Sequence, residues 1–123
     1  MFDKLKAATQ MAGMLKDLPR LQAKLAEVRE RLASTKVHGA AGGGAVRVIA
    51  TCDLRIESVT LDPSVLRGIA TGSAADAAYA NRMVADATND ALSSARARIA
   101  EELGRAAKEA GVDLPTQLLE QLG

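Results

Sequence analysis

The chain has 123 residues, enough for one domain with a modest core and too few for two. Apolar residues make up 48 %, yet tryptophan is absent and Phe2 and Tyr79 are the only aromatics, which suits close helix packing better than an aromatic-walled ligand pocket. A net charge of +1, a single cysteine, no long apolar run and no apolar segment behind Asp3, Lys4 and Lys6 argue against a disulfide scaffold, a membrane span and a secretory leader, and predict a cytoplasmic protein.

The first element is predicted to be a helix from near Asp3 to about Ser34. Ala7, Met11, Met14, Leu18, Leu21, Leu25, Val28 and Leu32 fall at alternating steps of four and three, which is a heptad seam. A seam of about 26 residues is roughly 39 Å long at 1.5 Å per residue. Strands of about seven residues reach only ~23 Å. A short sheet cannot cover such a seam, so self-association as a homodimer is expected. Pro19 interrupts the pattern, because proline removes an amide donor and crowds the preceding turn. Either the helix kinks there, or a second helix begins with Asp17 as its N-cap.

Residues 35–40 are β-tolerant and precede Gly42-Gly43-Gly44, a turn with free backbone torsions. Residues 45–51 and 54–61 then read as two more strands joined by Cys52-Asp53, giving an antiparallel meander. Alternation puts Val46, Val48 and Ala50 on one face and Arg47, Ile49 and Thr51 on the other. In the third strand it puts Leu54 and Ile56 on one face and Val59 and Leu61 opposite. Both faces of the sheet are therefore expected to be partly apolar.

Asp62-Pro63-Ser64 ends the strand and starts a short helical turn through Val65, Leu66 and Ile69. Ser73 with Asp76 resembles a capping box that opens a long alanine-rich helix. Val84, Ala91, Leu92, Ala95, Ile99, Leu103 and Ala106 form its expected buried side, and Gly111 ends it as a C′ residue. The fold class is α+β, in the order α-β-β-β-α with a small antiparallel three-stranded sheet and two long helices. Residues 1–110 are expected to form the domain and residues 111–123 a leucine-rich tail.

No catalytic constellation emerges. The glycine run leads into a strand without a following lysine, so it is a hairpin turn rather than a phosphate loop. His38 is the sole histidine and has no partner nucleophile. Metal-ligand spacings are absent, and neither a cofactor nor a small-molecule substrate is expected. Asp86, Asp90, Glu101 and Glu102 read as the solvated face of a helix. What remains is charge distribution. Residues 1–36 hold eight basic and four acidic groups, a balance of +4, whereas residues 73–123 hold five and eight, a balance of −3. Lys16, Arg20, Lys24 and Arg31 flank the seam on one side. They form either an ordinary solvated face or a phosphate-contacting one.

The order of motifs resembles the YbaB/EbfC family of nucleoid-associated proteins over roughly residues 1–110. The likeness lies in the opening Met1-Phe2-Asp3-Lys4, the glycine turn into Gly44-Ala45-Val46-Arg47-Val48, the junction Val59-Thr60-Leu61-Asp62-Pro63 with Leu66, and Asn89-Asp90-Ala91. It implies a dimer formed through the sheets, with long helices projecting to grip duplex DNA without enzymatic activity. Under that resemblance Lys16, Arg20, Lys24 and Arg31, with Arg96, Arg98 and Arg105 from the last helix, are the expected phosphate contacts. The rival expectation is a protein–protein adaptor that uses the seam and binds no DNA.

Overall fold

The computed structural model describes the backbone from Phe2 to Gly111 and the side chains from Leu18 to Gly111. The elements run α1 (Phe2–Ser34), β1 (Lys36–Ala41), β2 (Val46–Thr51), β3 (Arg55–Leu61), α2 (Pro63–Thr71) and α3 (Ala74–Glu109). The strands form one antiparallel sheet in the order β1-β2-β3. This is the expected α+β architecture, with α2 as the short turn after Asp62-Pro63. The tail at residues 112–123 and the seam residues Ala7, Met11 and Met14 lie outside the described side chains.

α1 continues through Pro19 as one element of 33 residues, so a second helix starting at Asp17 is ruled out. Proline costs the helix one hydrogen bond. Pro19 is exposed, so water can take up the carbonyl left over one turn earlier. Among the described residues the seam is covered toward its C-terminal end. Val28 and Leu32 are buried, Leu21 and Leu25 are half-buried, and Leu18 is 44 % exposed.

Between β1 and β2 the chain turns through Gly42, Gly43 and Gly44, with φ of 62°, 67° and 94°. L side chains rarely enter that left-handed region, which is why three glycines stand there. The Ala45 amide donates to the Gly42 carbonyl and closes the turn at 3.3 Å. Between β2 and β3 the Leu54 amide donates to the Thr51 carbonyl at 3.0 Å, and Leu54 itself has φ of 63°. Leu54 therefore belongs to the turn and not to β3.

The expected facing of β3 is also corrected. Ile49 pairs with Ser58 but Ala50 pairs with Ile56, so Glu57 is an extra residue in the ladder. A bulge of this kind reverses the alternation beyond it. Ile56, Val59 and Leu61 consequently stand opposite Ala50, Val48 and Val46 and share their face. The other face carries Lys36, His38, Arg47, Thr51, Arg55, Ser58 and Thr60, with Ile49 as its one large apolar residue. The sheet has one apolar face, and that face is wider than its cover. α3 lies over β1 and β2, leaving Ile56 and Val59 on β3 at 41 % and 45 % exposed.

Two buried clusters result. The first joins Val46, Val48, Ala50 and Val65 to Ala80, Ala87 and Ala91 of α3. Its tightest point is Gly39, where any Cβ would overlap the α3 backbone at Ala87 and Ala91. The second joins Val28 and Leu32 of α1 to Cys52, Ala95 and Ala106, with Ile99 and Leu103 packed alongside. Sequence periodicity identifies the α3 face broadly but misses Ala80 and Ala87. Alanine marks no stripe by hydrophobicity alone, and its value here is small size. The capping box is present: the Asp76 amide donates to Ser73 Oγ at 3.3 Å, and the Ser73 amide to Asp76 Oδ2 at 3.0 Å. Gly111 leaves α3 at φ of 76°, as a C′ residue should.

Candidate nucleic-acid interface

α1 and α3 are brought side by side by the second cluster, and their flanking charges meet at its edge. Lys24 Nζ lies 2.7 Å from Glu109 Oε2 and 3.6 Å from Glu27 Oε2. Hydrogen bonding and charge from Glu109 raise the Lys24 pKa above its ordinary 10.5, and the same contact lowers that of Glu109 below 4.5. One heptad further along, Arg31 donates to Glu102 Oε2 at 2.7 Å across the helix pair. Glu102 Oε1 faces Arg105 at 3.3 Å and Arg98 at 3.5 Å from its own helix. Arg105 also reaches Glu101 at 3.2 Å.

The seven expected phosphate contacts are thus placed unevenly. Arg31, Arg98 and Arg105 converge on one carboxylate, and Lys24 lies further along α1 against Glu109. Arg20 is exposed on α1. Arg96 is exposed too, but two residues before Arg98 it points about 200° away around the helix. The side chain of Lys16 lies outside the described residues. Beside this charged edge, Leu25, Val28, Leu32, Ile99 and Leu103 line a pocket of about 220 Å³ that reaches Cys52. Burial pushes the Cys52 thiol pKa up, so it is a poor nucleophile.

The sequence model of the YbaB/EbfC DNA-binding family matches residues 7–110. The chain belongs to that family. A nucleoid-associated protein of Dictyoglomus thermophilum is 36 % identical over 104 residues, covering 85 % of this chain and 92 % of that protein.

The geometry explains several of the YbaB/EbfC motifs in this chain. Asp62 is the N-cap of α2, and its carbonyl accepts from the amides of Val65 and Leu66 at 3.0 and 3.2 Å. Pro63 occupies the first helical turn, where a missing amide costs nothing. Asn89-Asp90-Ala91 marks the crossing of α3 over β1. Asp90 Oδ2 accepts from the Ala40 amide at 3.0 Å, and Ala91 is small enough to admit Gly39. Asp62, Pro63, Asp90 and Ala91 thereby secure the fold.

One acid expected on a solvated face is corrected here: Glu102 is only 4 % exposed, whereas Asp90 is exposed as expected and also accepts the Ala40 amide. Spacing alone held part of that signal, because Arg98, Glu102 and Arg105 sit at i, i+4 and i+7 on one helix face. The contribution of Arg31 from 71 residues away was not legible there. Among the described residues no helix is long and apolar enough to cross a membrane.

Proposed function

We propose that this chain is a non-enzymatic nucleoid-associated protein that binds duplex DNA as a homodimer through phosphate contacts, with little sequence preference. The observation that carries the reading is membership of the YbaB/EbfC DNA-binding family over residues 7–110. It is supported by the meeting of cations from α1 and α3 along one edge. Phosphate contact asks for clustered Lys and Arg and no base-edge chemistry. Stacking on single strands is disfavoured by the scarcity of aromatics.

The homodimer has its own support. Ile56 and Val59 on β3, and Leu66 and Ile69 on the helix that follows, are 41 to 50 % exposed. β3 is also a sheet edge with an unpaired row of backbone groups, which a second copy can cover. The adaptor reading rests on a different feature, the half-buried Leu21 and Leu25 beside exposed Leu18. In that case Leu25→Asp abolishes partner capture and DNA is ignored.

Sedimentation with and without a random-sequence duplex, followed by mobility shifts across a salt series, tests the proposal. Neutralising about six phosphates per dimer gives a log–log salt slope near −5. Lys16→Glu with Arg20→Glu weakens binding to all sequences alike and leaves the dimer intact. A monomer at micromolar concentration, or no shift at 50 mM salt, would falsify it.

A further inference from the structure

Glu102 is the one buried charged side chain among the described residues, and three guanidinium groups converge on it from two helices. We infer that Glu102 sets the DNA affinity of this chain by occupying Arg31, Arg98 and Arg105 in place of phosphate. The inference rests on the proposed function and adds to it the residue that limits phosphate contact.

The argument begins with the chemistry of the ligand. A carboxylate and a phosphate offer guanidinium the same thing, anionic oxygens spaced for its fork of donors. Glu102 therefore fills the place of a backbone phosphate, and being part of the chain it competes at high effective concentration. Both of its oxygens are engaged, one by Arg31 at 2.7 Å and the other by Arg105 at 3.3 Å and Arg98 at 3.5 Å. The arginines are not sealed away. Their side chains remain 57 %, 54 % and 49 % exposed, so a DNA backbone can reach them but must displace an anion already in place.

Stability alone gives no reason for an acid at this position. Burying a carboxylate is costly even when it is paired, and a well-packed apolar residue commonly serves the fold as well. Neighbouring Glu101 makes a useful contrast. Among the described residues its one ion-pair partner is Arg105, and its side chain is 60 % exposed, so solvent screens it.

The test uses the full chain and a labelled random-sequence duplex, titrated between 50 and 300 mM salt. Glu102→Gln is expected to bind more tightly than wild type and with a steeper salt slope. Each arginine released to phosphate adds about 0.9 to the slope, or roughly eightfold in affinity at 0.1 M salt. Glu102→Leu gives the same readout should Glu102→Gln fail to fold. Glu101→Gln is expected to stay near wild type. An equal gain from Glu101→Gln overturns the inference, because the effect is then bulk charge. Unchanged or weaker binding by a folded Glu102 variant also overturns it, and makes Glu102 a purely structural tie between α1 and α3. A wild-type chain that leaves the duplex unshifted at 50 mM salt overturns the proposed function, and the inference with it.

Discussion

The two halves of α3 meet their neighbours by opposite means. From Ala80 to Ala91 the helix lies on the sheet through alanines, with Gly39 removing even a Cβ from the contact. From Ala95 to Glu109 it meets α1 through larger side chains, a pocket of about 220 Å³ and a row of ion pairs. At the Gly39 crossing the backbones approach so closely that no adjustable side chain stands between them, so that crossing has a single geometry. The second contact is made by larger side chains and is open to solvent at its charged edge, and it is where the basic residues gather. Fold is fixed at one end of the helix, and charge is presented at the other.

The sharpest way to break this contrast is at Gly39. Gly39→Ala puts a methyl into the backbone of α3, which no rotamer change relieves, so β1 must move away from the helix. A loss of about 3 kcal/mol is expected in urea denaturation, at the upper end for overpacking. A near-neutral result would mean that the first contact is as forgiving as the second. Leu32→Ala probes the other half. Leu32 is 6 % exposed but borders the existing pocket, so part of its packing is already missing. The expected loss is about 2 kcal/mol, at the low end for truncation of a buried leucine. A loss larger than that of Gly39→Ala would reverse the ranking of the two contacts.

The same contrast accounts for what could be read from the amino-acid sequence. Element order, the glycine turn, the Ser73–Asp76 capping box and the Gly111 stop depend on residues within a few positions of one another, and all were legible. So was the burial of Val46, Val48 and Ala50, because alternation holds through β2. It failed in β3, where the bulge at Glu57 carries no local signature and moves Ile56 onto the face of Val59. Of the two outcomes weighed at Pro19, the restart at Asp17 failed for a related reason. Local propensity opposes Pro19, but α1 continues through it with only one backbone bond forgone. Ala87 and Glu102 were hidden more deeply, since their roles come from Gly39 and Arg31, which are distant in the chain. The seven candidate contacts stay part of the proposal, and the acids that hold Lys24 and Arg31 from across the helix pair lie too far away in the chain to have been read beside them.

The smallest expected effect lies at the far end of the α1–α3 contact, in the Lys24–Glu109 pair. Pairing holds the Glu109 carboxyl below 4.5, so its contribution is complete above that pH and is lost as pH falls through the lower folded value. Pairing also holds Lys24 above 10.5, so its contribution is complete below that pH and is lost as pH rises through the higher folded value. The difference in melting temperature between wild type and Glu109→Gln should therefore be flat between about pH 6 and 9. It should shrink toward zero in acid, and shrink again in 0.5 M salt, because both groups are open to solvent. A difference that persists undiminished at pH 3 would show that Glu109 acts by packing. The two halves of α3 would then differ in tightness and not in kind.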